Sequence, residues 1–396
     1  MEAPALDIPA SKNTVSVAVV DSASDIIVPT GAFMSPLVPG FEKLEARSFF
    51  FLIEQAAGQD GKAPRRILFD LGLRQDWATG LSPVSVKGLR AMLDMKTTEG
   101  EPAAKIEVTN DAHTILQQGG VDTDSIEAIV WSHSHVDHTG NPSLFGPNTA
   151  LVIGPGFGTG TCSCIQHQGH SHPATDEALA PHIFPGYPQD PESVLLESDY
   201  KGRTLRELTS ADFGTTTIAG LRAFDYFGDG SFYLLDTPGH SPGHLCGLAR
   251  VQAGPAAADN HFVLMLGDGI HHMSEMRPNP YKPLPAEYAQ STTLFSHFPG
   301  GSPTKPLFVP AGTKGASVHL DPQQATAIIA QLAALDAHDN VFSVAAHDMH
   351  VYKVLVDAAK TGAPALFPDG TVNDFVARGF VQQTQWTFMK DLVHLV

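Results

Sequence analysis

His133-Ser134-His135-Val136-Asp137-His138 places four potential metal ligands within six residues. Neutral imidazoles and carboxylates suit zinc and other divalent transition metals. A structural zinc site usually closes with four ligands, often including cysteine pairs. This cluster has no cysteine. His133 and His135 cannot share every duty with Asp137 and His138 on one small ion. Two adjacent ions, each with an open position, suit the ligand set better. A lone His-x-His pair would carry little weight in a chain with 19 histidines, but the full H-x-H-x-D-H pattern is far more specific.

The elements that must hold these residues are strands. Residues 126–131, directly upstream, are an apolar, β-branched run that predicts a buried strand. The cluster therefore begins where a strand ends and a loop starts. Three later stretches share this form. Residues 231–236 lead into Thr237-Pro238-Gly239-His240, residues 261–266 into Gly267-Asp268-Gly269, and residues 340–346 into His347-Asp348. Further strands are predicted at 14–20, with 25–28 as a continuation, and at 48–54, 66–70, 150–153, 194–197, 215–219 and 246–251. Helices are predicted around 86–95, over 109–119, and from the Asp321-Pro322 cap pair to about 336. Residues 74–105 are longer than a simple connection and suit a pocket wall or an interface.

Residues 154–200 begin Gly-rich and contain Cys162, Cys164, His167, His170 and His172. Cys-x-Cys is too tight for the usual zinc pairs, and no Lys-Ser/Thr completes a phosphate loop. An insert over the mouth of the site is the expectation.

The ligand pattern resembles the metallo-β-lactamase superfamily, from about residue 48 to about residue 350. The resemblance implies an α/β (α+β) fold, a four-layer αββα sandwich with inserted loops. With no composition break, residues 1–396 are expected to form a single domain, with an insert near 154–200 and a C-terminal extension after about 350. It also implies His133, His135 and His240 at one metal, Asp137, His138 and His347 at a second, and Asp268 bridging. Asp70, ahead of Gly72, matches an early Asp-x-Gly motif that supports the metal site, or is a plain turn residue. The expected cofactors are two Zn2+, with other divalent metals admissible.

The metal motifs look most like the quorum-quenching lactonase branch and related fungal lactamases. That likeness implies opening of a cyclic amide or ester (lactam or lactone) of a small molecule by a metal-bridging hydroxide. Asp137 would also orient the hydroxide or take its proton. His271 or His272 would donate a hydrogen bond to the developing oxyanion. The lactonases place a Tyr near this point, so that residue's role does not carry over. Alternatives are a thioester hydrolase of the glyoxalase II type, a mononuclear-iron persulfide dioxygenase, and a non-catalytic metal-binding protein.

The net charge of −18 disfavours nucleic acid and anionic membranes as partners. The first residues have no basic start and no long apolar run, so neither a signal peptide nor a membrane span is expected. Three cysteines suit a reducing compartment, and the cytoplasm is the expectation. The partner is a small-molecule substrate; a homodimer is permitted but not required.

Overall fold

The computed structural model describes residues 1–57, 63–159, 182–312 and 317–396. Cys162, Cys164, His167, His170 and His172 lie outside the described residues.

The strand Phe49–Gln55 shows why the chain must form layers. Its first five residues, FFFLI, are all buried, so both faces need a covering layer. Side chains alternate along a strand. Phe51 and Ile53 therefore pack inward with Val17, Val19, Ile67, Phe69 and Val130. Phe50 and Leu52 pack outward with Leu68, Ile129 and the helix residues Ala112 and Leu116.

Two six-stranded sheets carry this scheme. The first orders Ser16–Asp21, Phe49–Gln55, Arg65–Phe69, Ile126–Val130, Ala150–Ile153 and Leu205–Glu207 side by side. The second orders Thr217–Ile218, Leu221–Asp225, Phe232–Asp236, Leu245–Gln252, His261–Met265 and Val341–Val344. Leu234, Val263, Met265 and Val344 join the inner core with the first sheet. Leu235 and Leu264 face outward, against Ile329, Leu332 and Leu335 of the helix Pro322–Asp336. Helix, sheet, sheet and helix make the expected four-layer αββα sandwich.

Strand direction sets the site. Arg65–Phe69 and Ile126–Val130 run parallel. Leu245–Gln252 is antiparallel to both Phe232–Asp236 and His261–Met265, and the latter is parallel to Val341–Val344. Phe232–Asp236, His261–Met265 and Val341–Val344 thus run the same way.

Two expected strands differ. Residues 25–28 do not continue the first strand. The chain turns at Ala23, with φ of 53°, and Ser24–Pro29 pairs instead with Lys43–Ala46 and Lys105–Val108 in a separate three-stranded sheet. Residues 194–197 make one isolated bridge, Leu196 to Tyr187, before a short helix, Glu197–Tyr200, where Asp199 folds back to accept the Leu196 N–H at 3.1 Å. The helix Met349–Lys360 was not expected; the Asp348 carboxylate caps it by accepting the His350 and Val351 N–H groups.

A buried ion pair braces the frame. Arg277 Nε donates to Asp336 Oδ2 at 2.8 Å, with Lys282 Nζ 3.6 Å away. Among the described residues no helix is long and apolar enough to cross a membrane.

Candidate metal centre

The parallel strands deliver their following loops to one rim. His133, His135, Asp137 and His138 follow Ile126–Val130, His240 follows Phe232–Asp236, Asp268 follows His261–Met265, and His347 follows Val341–Val344. The His240 loop closes directly on the start of the helix Pro322–Asp336. At Gly239 a Cβ would lie 2.4 Å from the Ala325 backbone nitrogen, so only glycine fits.

Seven side chains converge there in two groups sharing one carboxylate. His133, His135, His240 and Asp268 offer ligand atoms within 4.8 Å of one another, as do Asp137, His138 and His347. In the first group His240 Nε2 lies 3.2 Å from His133 Nε2 and 2.9 Å from His135 Nδ1. Asp268 Oδ2 is 3.6 Å from His133 Nε2 and 3.4 Å from His240 Nε2. Its other oxygen, Oδ1, is 3.0 Å from His138 Nε2 and 3.1 Å from His347 Nε2. Asp137 Oδ2 is 3.4 Å from His347 Nε2.

Hydrogen bonds behind the rim set which nitrogen carries the proton. The Arg47 carbonyl, which can only accept, lies 2.6 Å from His347 Nδ1. Asp70 Oδ2 accepts from His138 Nδ1 at 2.8 Å. Ser132 Oγ donates to Asp70 Oδ2 at 2.8 Å, so it accepts from His133 Nδ1 at 3.0 Å. In all three rings Nε2 is the nitrogen left to face the rim. Asp70 also accepts the Ser132 N–H at 2.7 Å, from a left-handed backbone position with φ of 62°. It therefore orients the His133 and His138 imidazoles from behind, directly for His138 and through Ser132 for His133. His244 accepts the Asp268 N–H at 3.1 Å and so fixes that loop.

Electrostatics separate the two groups. Burial, reinforced by neighbouring imidazoles, holds His133 and His240 well below the ordinary histidine value. Burial also lowers His135. At His138 and His347 burial acts downward too, but Asp268 leads the carboxylates that raise both. Burial pushes Asp268 upward, and His138, His347 and His271 outweigh it, holding its carboxyl well below the usual range.

This donor set fits cations. Bare imidazole nitrogens about 3 Å apart repel unless a positive charge lies between them. Tetrahedral zinc with bonds of 2.0–2.1 Å would separate its nitrogens by about 3.3 Å. His138 Nε2 and Asp268 Oδ1 are buried 3.0 Å apart, yet neither makes a well-directed hydrogen bond to the other or to another described residue. Buried polar atoms without partners call for an explanation, and a bound ion supplies one.

A cavity of about 470 Å³ opens onto the rim at His135, Asp137 and Asp268. Its walls are mainly apolar, with Ile26, Val28, Phe33, Leu89, Met92 and Ile106 among them. The helix Pro83–Leu93 supplies part of this wall, from the stretch whose length suggested a pocket.

The two histidines expected at the oxyanion are not among the lining residues. His271 is buried, with Nε2 3.2 Å from Asp268 Oδ2, so it meets the carboxylate rather than the cavity. His272 has extended backbone, φ −147° and ψ 140°, and successive side chains of extended chain point to opposite sides. It turns to Asp391 Oδ2, at 3.3 Å, which His350 Nε2 also reaches at 2.8 Å. His350 is thereby engaged away from the rim, and His347 stands in it. His319 is the neighbour that sequence reasoning missed. It packs edge-on to His240 with ring centroids 5.0 Å apart.

No family model matches the chain. It is 35% identical over 404 aligned residues to the γ-lactamase FDB1 of Fusarium pseudograminearum (strain CS3096), covering 99% of this chain and 86% of that protein. It is 32% identical over 398 residues to the metallo-hydrolase mfmC of Annulohypoxylon moriforme, covering 98% and 90%. It is also 35% identical over 391 residues to the cytochrome P450 monooxygenase mpaDE of Penicillium roqueforti (strain FM164), matching 98% of this chain but 39% of that protein. Among solved structures, a quorum-quenching N-acyl homoserine lactone hydrolase shares the fold, with a TM-score of 0.50 over 90% of this chain and 98% of its own, at 15% identity. The chain belongs to the family of the fungal γ-lactamase FDB1 and metallo-hydrolase mfmC, and it has the metallo-β-lactamase fold. It is a metal-dependent hydrolase.

Proposed function

We propose that this chain holds two zinc ions, or other divalent cations, and opens a cyclic amide or ester of a small molecule. The observation that carries the reading is the split of the Asp268 carboxylate, one oxygen toward His133 and His240, the other toward His138 and His347. In this reading His133, His135 and His240 hold one cation. Asp137, His138 and His347 hold the other, and Asp268 serves both. Bound there, the cations would lower the pKa of a water toward neutrality and polarise a carbonyl oxygen.

The chain's own residues do the rest. Asp137 lines the cavity and is placed to orient the attacking water, take its proton and return one to the leaving nitrogen or oxygen. The apolar wall receives the body of the substrate and keeps bulk water out. No Lys or Arg stands among the described lining residues, which favours an uncharged substrate. His271 steadies the Asp268 carboxylate. The name of the relative FDB1, a γ-lactamase, favours a ring amide ahead of a ring ester. A mononuclear centre would leave Asp137, His138 and His347 without a purpose. The cytoplasm remains the proposed compartment; sparse cysteine and a buried Cys246 thiol, pushed up to about 12 by burial, support it.

The test is a panel of small neutral lactams, lactones and an acyclic thioester, given to zinc-loaded protein and followed by mass for the gain of one water. Ring opening with an amide or ester preference supports the proposal. Turnover of the thioester alone, or of nothing, sinks it.

A further inference from the structure

We infer that His319 is a positioning residue for His240: its Nδ1 accepts the His240 Nδ1–H, which leaves His240 Nε2 as a bare donor at the rim. The inference rests on the reading of His240 as a metal ligand and adds a residue to it.

The proton positions follow from one fixed end. His319 Nε2 lies 3.0 Å from the Phe33 carbonyl oxygen, and a carbonyl only accepts, so Nε2 carries the hydrogen. Nδ1 of a neutral ring is then a bare acceptor. It sits 3.3 Å from His240 Nδ1, with the rings at 85°. The hydrogen between them therefore belongs to His240. His240 Nε2 is left without one, and it is this atom that approaches His133 and His135.

The arrangement completes a pattern. His133, His138 and His347 each have Nδ1 against an oxygen, from Ser132, Asp70 and the Arg47 carbonyl. His240 reaches the same state through a nitrogen acceptor. His319 has no nitrogen left for a metal of its own, since one faces the Phe33 carbonyl and the other His240.

The backbone around His319 is fastened on both sides. The Val318 N–H donates to the Ala32 carbonyl at 3.0 Å, and the Leu320 N–H donates to the His240 carbonyl at 3.0 Å. Val318 and Leu320 also line the cavity. One short segment thus carries cavity wall on both sides of the residue that orients a ligand.

The test compares wild type with His319→Asn and His319→Leu. Asparagine can place Oδ1 where Nδ1 stood and still accept from His240; leucine keeps bulk but accepts nothing. Zinc affinity is read by chelator competition, and site geometry by the visible absorption of the cobalt-substituted proteins. The expected result is that His319→Leu weakens one of the two metal equivalents about 10- to 100-fold, while His319→Asn stays close to wild type. Unchanged affinity in His319→Leu overturns the inference. Equal loss in both variants assigns His319 to packing and also overturns it.

Imidazole nitrogen NMR on zinc-loaded wild type needs no variant to fold. Hydrogens on His319 Nε2 and His240 Nδ1 are expected, and a hydrogen on His319 Nδ1 overturns the inference. Wild type that binds no zinc removes the binuclear reading itself, and this role with it.

Discussion

The ligand rim and the cavity wall border the same space but are built by opposite means. Each rim residue follows a core strand, and His133, His138, His240, Asp268 and His347 are buried and held by named partners. The wall comes from segments far apart in the chain: the small sheet at Ile26, Val28 and Ile106, the helix Pro83–Leu93, and the stretch around Val318. It offers apolar surface and little hydrogen bonding. The difference separates chemistry from selectivity. Strands that must be buried for stability fix the reactive groups, whereas peripheral elements set the shape of what may enter. Changes to the rim should therefore move metal and stability together, and changes to the wall should move substrate choice alone.

The largest effect is expected where the rim's frame depends on buried charge. Asp336→Asn breaks the pair with Arg277 and should cost about 3–5 kcal/mol in urea unfolding. Burial pushes the Asp336 carboxyl upward, but Arg277 and Lys282 outweigh it and hold it below the ordinary range. A carboxylate depressed in this way adds stability above its unfolded pKa, about 3.9, and loses it as pH falls through the folded value. The gap between wild type and Asp336→Asn should be constant near neutrality and narrow below about pH 4. A gap independent of pH would show that charge is not what braces this side.

Next comes Asp70→Ala, which removes the acceptor shared by His138 and Ser132. Zinc affinity should fall about 10- to 100-fold, with a further loss of about 1–3 kcal/mol from the stranded donors. Chelator competition and thermal unfolding read the two effects. Retained zinc would mean that the ligands hold their orientation without support from behind.

The smallest effect is expected at the wall. Leu89→Trp should raise KM for the bulkiest accepted substrate about tenfold, leaving metal content unchanged. A change in metal content would erase the distinction between wall and rim.

What could be read from sequence follows the same division. H-x-H-x-D-H is local, and His240, Asp268 and His347 each end an apolar run; the family resemblance singled those three out, and the structure brings them together with the motif. The sandwich was expected from the family resemblance, and runs such as FFFLI, buried on both faces, agree with it. The small sheet was not, since 25–28 looks like an extension of its neighbour until Ala23 turns the chain. His271 turns to Asp268 and His272 to Asp391, and no pattern in sequence sets that. His319 ends no strand. Its role comes from Phe33 and His240, 286 and 79 residues away, and nothing nearby announces it.

The central claim is that one carboxylate serves two cations. Metal equivalents per chain, counted by native mass spectrometry on protein purified without chelator, test it directly in wild type and Asp268→Ala. Two zinc equivalents in wild type and a loss of at least one in Asp268→Ala are the expected result. A single equivalent in wild type that survives in Asp268→Ala would contradict the account.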